Sequence, residues 1–344
     1  MSAPETGTGI AAVVIGRNEG ERLRNCLSSI PAGVATVYVD SGSTDGSVDF
    51  ARGRGIEVVE LDMSQGFTAA RARNAGLERL RDLQARFDYV QMIDGDCILD
   101  AGWLPKAIAA LEHESGLAVV FGRRRERFPE RSVYNRMCDD EWNVPVGLAN
   151  ACGGDALFRT APLQAAGGYD PSLIAGEEPD LCLRLRAAGW QIRRIDAEMT
   201  LHDAAITRFS QWWKRAKRAG HAYAEHLWRH RENADPVWRR QVASIVLWGF
   251  AFPFAALLLL ASGSALTIMP ALWLGLAIVA LYPLQWARMF LRKRNGGVSS
   301  SFSARYAALI LAGKFAEFAG VLTFITNLGR KRRSSLIEYK QAGP

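Results

Sequence analysis

The segment Tyr89-Val90-Gln91-Met92-Ile93-Asp94-Gly95-Asp96 is a short apolar run that ends in two carboxylates flanking a glycine. A run of this length between polar residues is typical of a buried β-strand, and open α/β sheets bind ligands at the carboxyl ends of such strands. The period-two alternation of a strand directs Asp94 and Asp96 to the same side, where they could share one divalent cation and, through it, a diphosphate. The competing interpretation is a plain turn, because Asp-Gly is a common turn dipeptide.

Earlier parts of the chain predict a parallel sheet around this strand. Apolar runs that predict strands occupy residues 10–15, 34–39 and 56–61, and helical patterns separate them, including one over residues 67–87. This alternation favours parallel strands joined by right-handed crossovers. A last strand is expected at residues 192–195.

Acidic residues follow three of the predicted strands, namely Glu19, Asp40 and the pair in the Asp-Gly-Asp motif. Each could be a solvated turn or cap, and Asp45 is a candidate N-cap of the helix that follows it. Acids gathered at one sheet edge repel one another unless a cation or hydrogen-bond donors join them. A metal and a nucleotide would supply both.

The second half of the chain has the composition of a membrane protein. The 344 residues are 49% hydrophobic and carry a formal net charge of +7, yet residues 241–287 contain no charged residue. This stretch is long enough for two membrane-spanning helices, with Ser262-Gly263-Ser264 as the turn between them. Basic residues flank it on both sides: Arg229, Arg231, Arg239 and Arg240 before it, and Arg288, Arg292, Lys293 and Arg294 after it.

That distribution of basic residues predicts a hairpin with both ends in the cytosol and a catalytic domain on the cytosolic side of the plasma (inner) membrane. It also favours anionic lipid over nucleic acid as the partner of the positive charge. Residues 207–230 form an amphipathic, aromatic-rich pattern typical of an interfacial helix. Residues 305–327 contain Arg305, Lys314 and Glu317, which favours an interfacial or re-entrant helix over a third span.

Two common alternatives lack their sequence signatures. The five cysteines have no Cys-x-x-Cys spacing, which predicts reduced thiols and neither a zinc site nor a disulfide framework. No Gly-x-Gly-x-x-Gly or Gly-Lys-Ser/Thr loop follows a predicted strand, which argues against a nicotinamide enzyme or an ATPase. The first nine residues lack the basic flank and apolar run of a signal peptide.

Four motifs resemble, in order and at the usual separations, those of the family 2 glycosyltransferases. They are Val13-Val14-Ile15-Gly16-Arg17-Asn18-Glu19, Asp40-Ser41-Gly42-Ser43-Thr44-Asp45, Ala72-Arg73-Asn74-Ala75-Gly76 and Asp94-Gly95-Asp96. Two later stretches, 151–170 and 176–185, extend the resemblance to about His202. It implies a GT-A fold, with a mostly parallel, Rossmann-like sheet, that uses a nucleotide-diphosphate sugar.

The resemblance also implies roles for individual residues. The family's usual Glu-Asp reads Glu177-Glu178 here, so the general base falls on Glu178, whose side chain is one methylene longer. A divalent metal, Mg²⁺ or Mn²⁺, is expected on Asp94, Asp96 and His202. The expected nucleotide-sugar-binding residues are Glu19, Asp40, Asp45, Arg73 and Asp94.

These observations together predict an inverting, metal-dependent glycosyltransferase with a lipid-linked or surface-polysaccharide acceptor. Single transfer is favoured over processive synthesis, because two spans are few for threading a polymer. The predicted domains are a GT-A domain (1–205), an interfacial helix and linker (206–240), a transmembrane hairpin (241–287) and a basic loop, interfacial helix and tail (288–344). The alternatives are a nucleotidyltransferase, for which only Gly16-Arg17 hints at the required loop, and an inactive GT-A scaffold.

Overall fold

The computed structural model describes residues 9–83, 86–232 and 235–332. The predictions for the extreme N-terminus and for the tail after residue 332 lie outside these ranges. Within them the chain forms two compact units. We call residues 9–131 and 138–205 the sheet unit, and residues 132–137 and 206–332 the helical unit.

The sheet unit is built on nine strands and seven helices, the fifth of which begins in residues assigned to the helical unit. The strands are β1 (Ile10–Gly16), β2 (Ala35–Asp40), β3 (Glu57–Glu60), β4 (Tyr89–Asp94), β5 (Cys97–Leu99), β6 (Leu117–Glu126), β7 (Gly147–Ala149), β8 (Ala156–Arg159) and β9 (Gln191–His202). The helices are α1 (Glu21–Ser29), α2 (Ser47–Gly53), α3 (Ala69–Asp82), α4 (Trp103–His113), α5 (Val133–Glu141), α6 (Thr160–Ala165) and α7 (Glu177–Ala187).

The sheet is mixed, with the order β3-β2-β1-β4-β8-β6-β9-β5, and β7 pairs with β9. The first four strands in this order run parallel to one another, as predicted. In the other half the only parallel pair among the described strands is β6 with β9, so the expectation of a mostly parallel sheet was too broad. The parallel pattern stops at β4, because its other neighbour, β8, runs antiparallel to it.

The final strand β9 is longer than the predicted strand 192–195. After Ile195 the burial alternates, with Ala197 and Met199 in the core and Glu198 outside. Such alternation is the pattern of a strand with one covered face, which a search for continuous apolar runs does not detect. The extension carries His202 to the end of β9, beside β5.

The helical unit contains α8 (Phe209–Arg229), α9 (Pro236–Val246), α10 (Phe252–Ala265), α11 (Met269–Asn295) and α12 (Ser300–Gly329). A π-helical turn, Leu247–Ala251, joins α9 to α10, so residues Pro236–Ala265 form one continuous helix. Three helices are long and apolar enough to cross a membrane. They are Pro236–Ala265, Met269–Asn295 and Ser300–Gly329, with mean hydropathies of 2.2, 1.4 and 1.7.

The turn of the predicted hairpin lies at residues 266–268, and the expectation that Ser262-Gly263-Ser264 forms it was wrong. These small residues continue α10. A Cβ on Gly263 would lie 2.8 Å from the backbone nitrogen of Leu272, so the glycine permits α10 and α11 to pack closely. Small residues at helix contacts are typical of membrane proteins. Ser262-Gly263-Ser264 has the composition of a turn but serves as such a contact.

The core of the sheet unit leaves no space at Gly122 in β6. A Cβ there would lie 2.6 Å from the carbonyl oxygen of Ala197 and 2.7 Å from the ring of Trp103. We expect Gly122→Ala to lower the free energy of unfolding by about 1–3 kcal/mol, the usual cost of overpacking. Gly116→Ala is the control, because a Cβ at that residue would meet no atom within 4 Å. Thermal unfolding of both purified variants measures the difference, and equal melting temperatures would contradict the packing described.

Candidate active site

Two loops at the carboxyl ends of β1 and β2 are joined by hydrogen bonds through Asn18. Its backbone N–H donates to Ser43 Oγ (2.8 Å), and its side-chain oxygen accepts from the backbone N–H of Thr44 (2.7 Å). Asn18 adopts a φ of 53°, in the left-handed region that asparagine tolerates better than most residues. The sequence prediction did not single out Asn18, although it lies inside the first motif.

The predicted nucleotide-binding acids lie on these loops. Asp40 is buried, and its carboxylate accepts hydrogen bonds from the Tyr38 hydroxyl (2.7 Å) and from the backbone N–H groups of Gly42 and Ser43. Glu19 pairs with Arg22 at 2.7 Å. Both acids therefore shape the loops, and their binding of a nucleotide stays a prediction.

The prediction that Asp45 is the N-cap of α2 is wrong, because Gly46 occupies that position. The Asp45 carboxylate accepts the N–H of Ser47 (3.1 Å) and, across the two loops, the N–H of Gly20 (2.8 Å). Although partial burial acts to raise the pKa of Asp45, these hydrogen bonds lower it. An ionised Asp45 thus holds the two loops together.

Arg73, a buried residue of α3, contacts three of the acidic residues of the site. Arg73 donates to Asp94 (2.9 Å) and to Glu177 (2.8 Å), and its guanidinium is 3.1 Å from the Glu178 carboxylate. The Tyr169 ring covers it at 5.4 Å. Arg73 therefore connects the end of β4 to the start of α7, and its predicted contact with the nucleotide remains a prediction.

Glu178 lies in the first turn of α7 with its side chain 15% exposed, whereas that of Glu177 is 5% exposed. Burial and the charge of Glu177 raise the pKa of Glu178 to about 7, with Arg73 acting in the opposite direction. Asp180, the third acid of this turn, is bound by Arg184 at 2.9 Å. Of the three, Glu178 has the exposure and the proton affinity that suit a general base at neutral pH.

A second arginine, Arg124 from β6, binds the opposite side of Asp94 at 3.0 Å and also approaches Asp155 at 3.3 Å. The buried Asp155 carboxylate accepts the backbone N–H of Asp94 (3.0 Å) and the hydroxyl of Thr200 (2.8 Å). Burial acts to raise the pKa of Asp94, but the two arginines lower it well below its usual range. Asp94 is therefore held as a carboxylate with a fixed orientation.

Asp96 and His202 form the group best suited to a hard divalent cation. Their carboxylate oxygen and Nε2 atoms are 3.3 Å apart, and Cys97 lies beside them with all three ligand atoms within 4.8 Å of one another. Burial and the charge of Asp155 raise the pKa of the Cys97 thiol, so it stays protonated at neutral pH. The oxygen and imidazole donors that remain fit Mn²⁺ or Mg²⁺.

The structure places Asp94 and Asp96, the expected pair of ligands, in different groups of candidate ligand atoms. Asp94 falls in a neighbouring group with Cys97 and Asp155. The alternation used in the prediction ends with β4 at Asp94, because Gly95 and Asp96 form a turn. A metal role for Asp94 would compete with its two arginines and stays a prediction.

The surroundings of His202 were not foreseen from the sequence. Glu126 lies 3.8 Å from its Nδ1, a position from which a carboxylate can orient a metal-binding imidazole. Trp142 packs its ring edge-on to His202 at 4.7 Å and is covered by Arg124 at 5.0 Å. Burial and the charge of Arg124 lower the pKa of His202, which favours the neutral imidazole that a metal requires.

These residues lie at one edge of the sheet. A Cβ on Gly95 would be 3.6 Å from Glu19 Cγ, so the loop after β1 adjoins the turn after β4. The mixed sheet, with acids after β1, β2 and β4, defines a GT-A-type domain followed by C-terminal helices. Open α/β sheets bind their ligands at the carboxyl ends of the strands, which is this edge.

Comparisons with known proteins agree with that class. A model of the family described as Glycosyl transferase family 2 matches residues 12–157. The uncharacterized glycosyltransferase Rv0539 of Mycobacterium tuberculosis is 37% identical over 197 residues, which cover 55% of this chain and 84% of that protein. Succinoglycan biosynthesis protein ExoA of Rhizobium meliloti is 25% identical over 206 residues, covering 56% and 61% of the two chains. This chain belongs to glycosyltransferase family 2.

A solved structure shares the fold. The mannosyltransferase PcManGT from Pyrobaculum calidifontis, in complex with GDP-Man and Mn²⁺, superposes with a TM-score of 0.58 at 16% identity. The match covers 93% of this chain and 88% of that chain. It supports the GT-A architecture.

Removing the charge of Arg73 tests the ion-pair network. We expect Arg73→Met to lower the free energy of unfolding by about 3–5 kcal/mol at pH 8, since it leaves buried carboxylates without their cation. In the variant the charge of Arg73 no longer lowers the pKa of Glu178, so the folded-state pKa of this carboxyl lies further above its unfolded value. The folded state then binds more protons, so the deficit shrinks as the pH falls from 8 to 5.5.

Arg79→Met is the matched control, because Arg79 pairs with Glu57 where both side chains are more than a third exposed. Its cost should stay under about 1 kcal/mol and change little with pH. Melting temperatures of the three proteins at both pH values give the comparison. A pH-independent loss in Arg73→Met would mean that the arginine serves packing alone.

Proposed function

We propose that this glycosyltransferase is an inverting, metal-dependent enzyme that moves a sugar from a nucleotide-diphosphate sugar to an acceptor hydroxyl. The observation that carries the proposal is the position of Glu178, a carboxylate with a pKa of about 7 in one ion-pair network with Asp94. A base near neutral pKa is what proton removal from a hydroxyl requires. The Asp96 and His202 group next to Asp94 supports the metal dependence.

The donor is proposed to lie along the loops after β1 and β2. The loop residues offer carboxylates at Glu19, Asp40 and Asp45, and Asp94 faces the same edge of the sheet. Asp96 and His202 would hold the metal, with Glu126 orienting the imidazole. When bound, a divalent cation offsets the charge that develops on the leaving nucleoside diphosphate.

Glu178 is proposed to take the proton of the acceptor hydroxyl as the oxygen attacks the anomeric carbon from the side opposite the leaving group. The bond from that carbon to the diphosphate oxygen breaks with inversion, and the diphosphate leaves with the bonding electrons. The α7 N-terminus stabilises the carboxylate form of Glu178, while Glu177 keeps its proton affinity high. Arg73 fixes the orientation of Glu178 relative to Asp94.

The acceptor is proposed to be lipid-linked or part of a surface glycan, reached at the cytosolic face of the plasma membrane. The candidate membrane helices and the basic residues at their ends support this location. The relative ExoA is named for succinoglycan biosynthesis, a polysaccharide pathway. Nucleic acid has no part in the proposal, and single transfer remains favoured over processive synthesis.

Release of sugar from a panel of nucleotide sugars, with and without chelator, tests this function against its rivals. A glycosyltransferase of the proposed kind releases sugar from one donor in a metal-dependent manner. A nucleotidyltransferase would form a nucleotide bond and release inorganic diphosphate instead. An inactive scaffold would do neither.

The metal site predicts the effect of Asp96→Asn. The variant keeps the side-chain shape but loses a charged ligand, so transfer should fall at least about a hundredfold, the scale of a few kcal/mol of lost charge stabilisation. The affinity of the purified protein for Mn²⁺ alone, measured by calorimetry, should fall in parallel. Near wild-type transfer in metal-depleted buffer would refute the assignment.

The base assignment predicts the effect of Glu178→Gln. Losing a positioned base costs about 10²- to 10⁴-fold in the chemical step, so the variant should bind donor almost normally yet transfer it slowly. The wild-type rate should fall as the pH drops below about 7, because Glu178 must be unprotonated to act. Single-turnover rates from pH 5.5 to 9, with donor affinity measured separately, provide the check.

Glu177→Gln is the matched control one residue away. It removes the neighbouring charge that raises the pKa of Glu178, so it should retain turnover while the midpoint of the pH profile moves to lower pH. Asp180→Asn should act on stability through its ion pair with Arg184. An active Glu178→Gln together with an inactive Glu177→Gln would shift the base assignment by one residue.

A further inference from the structure

Cys97 is a buried residue beside the proposed metal ligands, and the proposed chemistry gives it no role. It begins β5, and in the antiparallel pairing of β5 with β9 it lies directly opposite His202. Side chains of directly opposite residues lie on the same face of a sheet and are close neighbours. Asp96 precedes Cys97 in the turn after β4. A carboxylate, a thiol and an imidazole therefore meet at one place.

The distances among these three donors fit a four-coordinate cation. The Cys97 sulfur is 3.7 Å from one carboxylate oxygen of Asp96, and Nε2 of His202 is 3.3 Å from the other oxygen. One ligand atom from each residue lies within 4.8 Å of the other two. In a tetrahedral zinc site, with bonds of about 2.0–2.3 Å, neighbouring ligand atoms are about 3.3–3.6 Å apart. Small side-chain rotations would therefore close the three donors around one Zn²⁺.

The surroundings of the sulfur suit a metal-bound thiolate. Arg124 donates a guanidinium N–H to the Cys97 sulfur at 3.4 Å. A hydrogen bond from a cation stabilises the charged form of the group that accepts it. A thiolate that forms when a metal displaces the thiol proton would thus already have a charged hydrogen-bond donor beside it.

Hard and soft cations would use the three donors differently. Mg²⁺ and Mn²⁺ prefer oxygen ligands in six-coordinate geometry, so they leave the thiol protonated. Zn²⁺ binds sulfur well, and a coordinating thiol loses its proton to the solvent. A hard cation is therefore held by the carboxylate and the imidazole alone, whereas Zn²⁺ recruits the thiol as a third protein ligand.

We propose that Asp96, Cys97 and His202, here called the zinc group, bind Zn²⁺ and that Zn²⁺ bound there inhibits sugar transfer. The proposal rests on the proposed function in one respect, that Asp96 and His202 hold the catalytic cation. With three protein ligands, four-coordinate Zn²⁺ keeps a single open position. A diphosphate that binds through two oxygens needs two positions, which a six-coordinate Mn²⁺ on two protein ligands provides.

Cobalt spectroscopy tests the third ligand directly. Co²⁺ can replace Zn²⁺ in sites of this kind, and a thiolate bound to Co²⁺ gives a charge-transfer band in the near ultraviolet. We expect the full chain, purified in detergent, to show this band when Co²⁺ is added and to lose it when Zn²⁺ displaces Co²⁺. Cys97→Ser should not show the band.

Cys182→Ser is the matched control. Cys182 is buried and contacts the thiol of Cys152 at 3.6 Å, so this second pair is the other candidate source of a cobalt–thiolate band. The variant should keep the band at full strength. A band that persists in Cys97→Ser, or protein that binds Co²⁺ without showing the band, would overturn the proposal.

Calorimetry provides a second readout. Titrations in two buffers of different ionisation enthalpy should show that Zn²⁺ releases about one proton more than Mn²⁺, because only Zn²⁺ displaces the thiol proton. Cys97→Ser should weaken Zn²⁺ binding at least about a hundredfold, since losing an outer partner of a metal site already costs about 10- to 100-fold. Its affinity for Mn²⁺ should change little, which also shows that the variant is folded. Equal losses for the two ions would refute the role of the thiol.

The outcomes separate the zinc group from the proposed function. If Mn²⁺ binds and Zn²⁺ binds without the extra proton or the cobalt band, the zinc group is refuted and the proposed transferase stands. If neither ion binds, the proposed metal dependence fails together with the zinc group. In a transfer assay, Zn²⁺ should inhibit the unmutated protein, and excess Mn²⁺ should relieve the inhibition. Inhibition of equal strength in Cys97→Ser would also overturn the proposal.

Discussion

One buried guanidinium, that of Arg73, balances the carboxylates on which the proposed chemistry depends. It joins Asp94 at the end of β4 to Glu177 and Glu178 at the start of α7, two elements far apart in the sequence. Three acids this close would repel one another strongly without a cation between them. Arg73 is a buried residue of α3. The charge balance of the site therefore depends on the core of the sheet unit and not on exposed side chains.

Three further polar residues fix the orientation of Asp94 and His202. Asp155 binds the backbone of Asp94, Arg124 binds its side chain, and Glu126 approaches the imidazole of His202. Two of them lie in β6 and Asp155 lies just before β8, in the half of the sheet where antiparallel pairing prevails. The parallel half supplies the edge at which the donor is proposed to bind, and the other half supplies the residues that orient the side chains there.

The sequence was informative where structure follows from local pattern. Apolar runs, breaks and helical periodicity predicted β1, β2, β3 and β4, and the resemblance of the motifs pointed to Glu178 as the candidate base. Asp155, Arg124 and Glu126 escaped prediction because their roles arise from strand pairings between distant segments, which no local pattern records. Gly263 was misread because the same small residues suit a turn and a close helix contact. Asp94 and Asp96 fall in different groups because β4 ends at Asp94, and the sequence did not reveal at which residue that strand ends.

The pairing of α8 with α12 has a consequence for how the protein is made. Domains fold as the chain emerges from the ribosome, N-terminal parts first. The side of α8 that carries the buried His221 and Glu225 packs against a helix that begins only at Ser300, so this face must wait while α9, α10 and α11 are synthesised. During that interval the face lacks the cover that α12 gives it in the folded protein. Helix α12, which is made after α8 to α11, is the element that completes the helical unit.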